Sequence, residues 1–217
     1  MERTLYGDER WFTLYALPPL SKQAERLIEL GVHSLAGITD AQVRGAVSDA
    51  TDDALLVLGG VGPSALAPML ELSGVCGFVV SDMPDVDRFT PIESLTIPAG
   101  PAYLVHGPTR GDEMENWSPD EALPAILAAD RTPLTLIEGI HWLIQVPDVL
   151  ERGHCFMTIG SRLRKPNGAL DTRTPALWIS NGTGRDGKNN RNAPKVGWCW
   201  AGNRHTWLGF ASAANRT

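Results

Sequence analysis

The sequence predicts an α+β domain: an N-terminal helical layer, then a mixed body ending in an antiparallel sheet with helices packed on one face. Three observations carry this. Helix-start signals cluster within residues 1–50 and again within 118–151. Beyond residue 154, short strand-like runs follow one another without helices between them, which implies antiparallel pairing. A chain of 217 residues that is 43% hydrophobic and 20% charged suits one core-forming domain, residues 1–217, with 1–50 as its helical layer and 51–217 as its body.

The elements follow in order. Trp11, Phe12, Leu14 and Tyr15 form a short arm that ends at Pro18-Pro19. Ser21 is the expected cap of a first helix, Ala24, Leu27, Ile28 and Leu30 give it an apolar stripe, and Gly31 stops it. Thr39-Asp40-Ala41-Gln42 spells a capping box for a second helix. His33 is expected in the loop between them, as an ordinary packing residue. Ala54–Leu58 is a continuous apolar run ended by Gly59-Gly60, the mark of a buried strand. Leu70–Leu72, Ser73-Gly74 and Val75–Val80 read as a hairpin with Cys76 buried inside it. Ala102–His106 is a further strand, leading into the polar loop Gly107–Glu113.

Ser118-Pro119-Asp120-Glu121 opens a helix through Ala128 that tolerates Pro124 near its first turn. Thr135 and Glu138 box a second one, on which His141 and Trp142 are expected to pack. Strands are expected at 154–162, 175–180, 195–200 and 207–211, as an antiparallel meander. The connectors 163–174 and 181–194 are basic and rich in Gly and Asn, and are expected to be mobile surface loops.

Composition excludes several classes. No run of apolar residues is long enough for a transmembrane helix, so no membrane is expected. The first residues lack a secretory pattern, and three Cys is an odd, low count; both favour free thiols in a cytoplasmic location. The net charge of −6 hides an asymmetry: residues 1–160 carry 23 acidic and 9 basic side chains, residues 161–217 carry 2 and 10. The basic part is suited to phosphates, to the acidic part of its own chain, or to a second subunit in a homodimer. Basic and aromatic residues are not interleaved as in nucleic-acid modules, so nucleic acid is not the expected partner.

Candidate chemistry centres on Gly197–Gly209, which holds three of the seven Trp. Period-2 alternation puts Trp198 and Trp200 on one strand face and Cys199 on the other. Gly202-Asn203 is a turn signal, and a hairpin return would carry His205 and Trp207 back past the Trp198 level. A purely structural hairpin is the alternative. With His154 and Cys155, two functional readings arise: a Cys–His nucleophile pair, or a two-Cys, two-His zinc site. Zinc is disfavoured, because His154 and Cys155 are adjacent and the CxxC spacing is absent; buried free thiols are the bland reading. In the 107–113 loop, Asp112 and Glu113 suit acid/base work or a hard cation, whereas an Arg110–carboxylate pair is the structural reading and the favoured one. Gly182-Thr183-Gly184-Arg185-Asp186-Gly187 fits GxGxxG by letter, but no helix pattern follows, so no dinucleotide site is expected.

The stretches Arg110–Glu113, Asn116–Ile126, Arg131–Thr135, His154-Cys155-Phe156, Pro175–Ser180 and Gly197–Asn203 with His205–Gly209 resemble a family of uncharacterised proteins found widely in actinobacteria. The similarity spans nearly the whole chain. It implies a bacterial cytoplasmic setting and lends no activity, because the family is a domain of unknown function. The chain departs from that pattern at 163–174 and 181–194, which are longer and more basic here.

The first functional expectation is a small-molecule-binding domain, an enzyme of bacterial specialised metabolism with a Trp/His/Arg-lined pocket. His205, Cys199, Asp112 and Glu113 are its candidate catalytic groups. Arg110, Trp198, Trp200, Asn203, Trp207 and His154 are its candidate ligand contacts, with no cofactor and no metal expected. The alternative is a non-catalytic interaction domain whose basic C-terminal loops dock an acidic partner.

Overall fold

The computed structural model describes residues 16–51 and 53–217. The aromatic arm expected at Trp11–Tyr15 lies outside the described residues. Helix α1 (Leu20–Glu29) buries Leu20, Ala24 and Leu27. It starts two residues earlier than a Ser21 cap would dictate, with Pro19 at the cap and no side-chain cap bond. The reason is Gln23, whose amide is drawn into the body: Nε2 donates to Ala54 O at 2.8 Å, and Oε1 accepts from the Leu56 N–H at 2.8 Å. Gly31 (φ 74°) ends α1 as expected. His33 falls in a short helix, α2 (Val32–Leu35), not in a loop. Helix α3 (Asp40–Gly45) carries both bonds of the Thr39/Gln42 box.

Strand β1 (Ala54–Leu58) is buried throughout. After α4 (Pro63–Leu66), strands β2 (Glu71–Leu72) and β3 (Val75–Cys76) pair across Ser73 (φ 52°) and Gly74 (φ 79°). This hairpin has only two rungs, so Cys76 is exposed and not the buried residue expected. The chain then breaks at Gly77, where a Cβ would lie 2.5 Å from Ala67 O, before β4 (Phe78–Val79) and β5 (Thr90–Pro91). Strand β6 (Ala102–His106) pairs antiparallel with β1.

Helix α5 (Pro119–Ala128) and, after β7 (Thr132–Pro133), helix α6 (Leu136–Gln145) each carry a complete capping box. Strands β8 (Cys155–Met157), β9 (Ser161–Arg162), β10 (Arg173–Ile179), β11 (Pro194–Trp200), β12 (Leu208–Phe210), β13 (Ser212–Ala213) and β14 (Asn215–Arg216) complete the chain. The α+β class stands.

The main sheet has the order β12-β8-β10-β11-β4. Its central strands β8, β10 and β11 are antiparallel, with Ala176 opposite both Met157 and Gly197. Its two edge pairs are parallel. The segment after Trp200 is therefore not a hairpin return. It crosses β10 and β8 and joins the far edge, Leu208 beside Cys155. Residues 201–207 are held over the strand ends by the loop before α5 and by its first turn: the Asn116 N–H donates to His205 O at 2.9 Å and the Asp120 N–H to Ala201 O at 3.2 Å.

Alternation gives the sheet two buried faces. Phe156, Leu177 and Val196 join the large core with β1 and with Ile140 and Leu143 of α6. Met157, Ala176 and Phe210 pack with Ala122 and Ile126 of α5 in a smaller core. Helices thus lie on both faces of the main sheet, where one face was expected. A four-residue α/β pattern such as 154–157 feeds both sides of a strand equally and cannot specify a single layer.

Candidate functional site

The crossover closes one end of the smaller core into a cleft of about 440 Å³. His154, Cys155, Trp198, Cys199, His205 and Trp207, all singled out from the sequence, line it together with Trp178. The strand register explains the geometry. Trp178 faces Lys195 and stands beside Gly197, where an added Cβ would meet the indole at 2.6 Å. The bare glycine leaves room for the ring. On the opposite wall, His205 and Trp207 stack with ring centres 4.6 Å apart. Trp207 keeps 48% of its surface exposed, so it forms part of the mouth.

The remaining candidates fall elsewhere. Trp200 packs edge-on against Trp198, centres 4.5 Å apart, and lines a neighbouring cavity of about 240 Å³ with Asp186 and Lys195. Asn203 lines neither cavity. Arg110, Asp112 and Glu113 line a separate cleft of about 720 Å³ with Arg131 and Trp142. Arg110 is 5% exposed, donates to Val149 O at 3.0 Å, and lies 3.3 Å from both Asp112 and Glu151. The guanidinium is thus committed to carboxylates and does not join the indole-lined cleft. Burial raises the Asp112 carboxyl above its usual range, against the pull of Arg110.

The thiols are poor nucleophiles. Burial, and secondarily the neighbouring Cys199, push Cys155 up to about 12. Burial also raises Cys199, although the Trp200 N–H and the Asn203 side chain partly offset it. Among the described residues, no hydrogen bond joins either sulfur to an imidazole. Nor does any group of three or more His, Cys, Asp or Glu side chains among them sit where it would hold a metal ion.

Sequence reasoning missed three residues. Trp178 is a lone Trp in a strand and had no local pattern to mark it. Glu115 comes within 3.5 Å of His154 Nδ1. Asp186 clamps Lys195, with Nζ 2.7 Å from both carboxylate oxygens and 4.3 Å from the Trp178 ring centre. The clamp ties the 181–194 loop to β11. That loop forms two 3₁₀ turns, Gly184–Asp186 and Lys188–Asn190, and no helix follows the glycines at 182–187.

Fold and cleft together define an α+β domain with an aromatic cleft at one end of a mixed five-stranded sheet. Over residues 26–217 the chain matches the model of a family of unknown function, DUF5701, and it belongs to that family. No curated protein and no solved structure matches it. No helix among the described residues is long and apolar enough to cross a membrane.

Proposed function

We propose that the chain is a small-molecule-binding domain whose ligand occupies the cleft between β8, β10 and the 201–207 crossover. One observation carries this reading: three indoles, Trp178, Trp198 and Trp207, converge with two imidazoles, His154 and His205, around about 440 Å³ of open space. That volume suits a drug-sized molecule, and indole walls suit a planar or cyclic one. No Asp, Glu, Lys or Arg is among the described lining residues, so a neutral or weakly anionic ligand meets no buried charge. Both thiols stay protonated near neutral pH and serve as apolar lining.

An acidic partner docking on the basic loops would compete with pairs made inside the chain. Basic side chains of the C-terminal region are paired within the chain: Arg164 with Glu93 at 2.6 Å, Arg173 with Asp85 at 2.7 Å, Lys195 with Asp186 at 2.7 Å, and Arg204 with Glu121.

The test is a titration of purified protein with indole, quinoline and 5-nitrobenzisoxazole, followed by Trp emission and ligand-observed NMR. Saturable binding is expected for the wild type and for Trp200→Ala, with loss in Trp207→Ala. Absence of saturable binding, or binding indifferent to Trp207, overturns the reading.

A further inference from the structure

We propose that His154 is a general base in this cleft, held by Glu115, and that the bound molecule is a carbon or oxygen acid attached to a planar ring system. This rests on the cleft being a ligand site. Gly153 (φ 82°) and the His154 N–H, donating to Glu151 O at 3.2 Å, make a tight turn that presents the imidazole just before β8. His154 lines the cleft, and its Nδ1 lies 3.5 Å from Glu115 Oε1. Glu115 follows the 3₁₀ turn Asp112–Met114. The next residue, Asn116 (φ 64°), donates its N–H to His205 O. One backbone tie therefore anchors the chain that carries Glu115 to the opposite wall of the cleft, with its His205 and Trp207.

A carboxylate 3.5 Å from Nδ1, in a pair whose side chains are 45% and 39% exposed, biases the ring toward the tautomer with the proton on that nitrogen, which leaves the Nε2 lone pair for a ligand. In the step, a ligand C–H or O–H bond breaks, its electrons stay on the ligand, and the proton goes to Nε2. The ring system delocalises the anion, beside the His205 imidazole. The proton then leaves to water or returns to another ligand atom. The other groups facing the pair are Asp112, which lies within electrostatic reach of both His154 and Glu115, and with it Arg110 and Glu151. Cys155 adjoins it with a protonated thiol. Glu115 is a positioning residue: it touches the imidazole, not the ligand.

The probe is 5-nitrobenzisoxazole, used with the full chain. Removal of its C3 proton breaks its N–O bond and releases a coloured cyanophenolate, with no other reactant. Wild-type protein is expected to exceed free imidazole by about 100-fold per site. His154→Gln is expected to abolish turnover while probe binding, read by Trp emission, persists. Glu115→Gln is expected to slow turnover about tenfold and to move the acid limb of the pH profile, with partial rescue in Glu115→Asp. Circular dichroism melts verify folding of each variant. Binding without turnover, or full turnover in His154→Gln, overturns the base assignment alone. Loss only in His205→Gln moves the base to the other wall and overturns it too. Glu115→Gln with unchanged rate and pH profile overturns the positioning role. No saturable binding of the probe overturns this proposal and the ligand reading together.

Discussion

Arg216 on β14 meets Glu138 on α6 through two parallel bonds, Nε to Oε1 at 2.5 Å and Nη2 to Oε2 at 2.8 Å, and the carboxylate is fully buried. The same carboxylate caps its own helix by accepting the Thr135 N–H at 2.7 Å and accepts the Tyr103 hydroxyl at 3.2 Å. Arg216 also donates to Thr132 Oγ1 at 2.5 Å and to Pro133 O at 2.9 Å. Four elements, β6, β7, α6 and β14, are thereby joined at one charge pair. Burial and the adjacent carboxylate together raise the Tyr103 phenol above its ordinary range. Arg216→Ala strands a buried carboxylate and is expected to cost about 3–5 kcal/mol in urea unfolding. Glu138→Leu combined with Arg216→Met is expected to cost less than the two single changes added together. An Arg216→Ala protein within about 1 kcal/mol of wild type would show that the pair contributes little.

His141 makes stability depend on pH. Its ring is fully buried, Nδ1 donates to Ile137 O at 2.9 Å, and Nε2 accepts the Leu58 N–H at 3.2 Å. That arrangement fits only the neutral imidazole. Burial pushes its pKa down to about 4 from an ordinary value of 6.5. The unfolded chain then binds a proton in a range where the folded chain does not, so stability rises with pH. The contribution is full above about pH 6.5 and is lost progressively as pH falls to about 4, roughly 3 kcal/mol in all. Unfolding free energies measured from pH 4 to 7 should show this slope, and His141→Gln should flatten it. An equal slope in both proteins assigns the pH dependence to other groups.

Local chemistry was legible and long-range chemistry was not. The boxes at Thr39, Ser118 and Thr135 each depend on two residues three apart, and each formed. The Ser73-Gly74 turn is equally local. The Ser21 cap failed because Gln23 bonds a strand 31 residues away. Alternation in 197–200 described the strand, but the hairpin expected after Gly202-Asn203 is a crossover, because nothing local says which strand β12 joins. The aromatic and imidazole half of the site was visible because Trp, Cys and His are rare. Glu115 was not, because one Glu in an acidic loop looks like any other. Arg110 pairs with Asp112, as the favoured reading of its loop expected, but its contacts with Val149 O and Glu151 come from a segment about 40 residues away and left no local mark.

Thiol alkylation should rank the three cysteines. Cys76 is exposed, Cys199 half-buried and Cys155 buried. A thiol at about 12 is ionised in only about one molecule in 10,000 at pH 8, and the thiolate is the reacting form. With isotope-coded iodoacetamide and peptide mass spectrometry, the expected order is Cys76, then Cys199, then Cys155 by a wide margin. Quinoline at saturation should protect Cys199 and leave Cys76 unchanged, because Cys199 lines the cleft and Cys76 does not. Cys155 reacting before Cys199 would show that this end of the sheet opens.

Composition marked residues 181–194 as a loose loop, and one carboxylate ties it to β11. Asp186 accepts from Lys195 Nζ on both oxygens and from Ser180 Oγ at 2.8 Å, while its backbone O accepts from Asn190 Nδ2 at 2.7 Å. Both charged side chains are about nine-tenths buried, so water screens the pair little. Asp186→Asn leaves the ammonium buried beside Trp178 without its counter-charge, at a cost of about 3 kcal/mol. It also releases the loop, so trypsin should cut after Lys188 or Arg191 much faster than in the wild type. Adding Lys195→Met removes the stranded charge and should restore most of the global stability, because Met fills the space beside the indole. It does not restore the clamp, so rapid cleavage should persist in the double variant. Wild-type cleavage rates in Asp186→Asn would show that the 3₁₀ turns hold the loop without the ion pair.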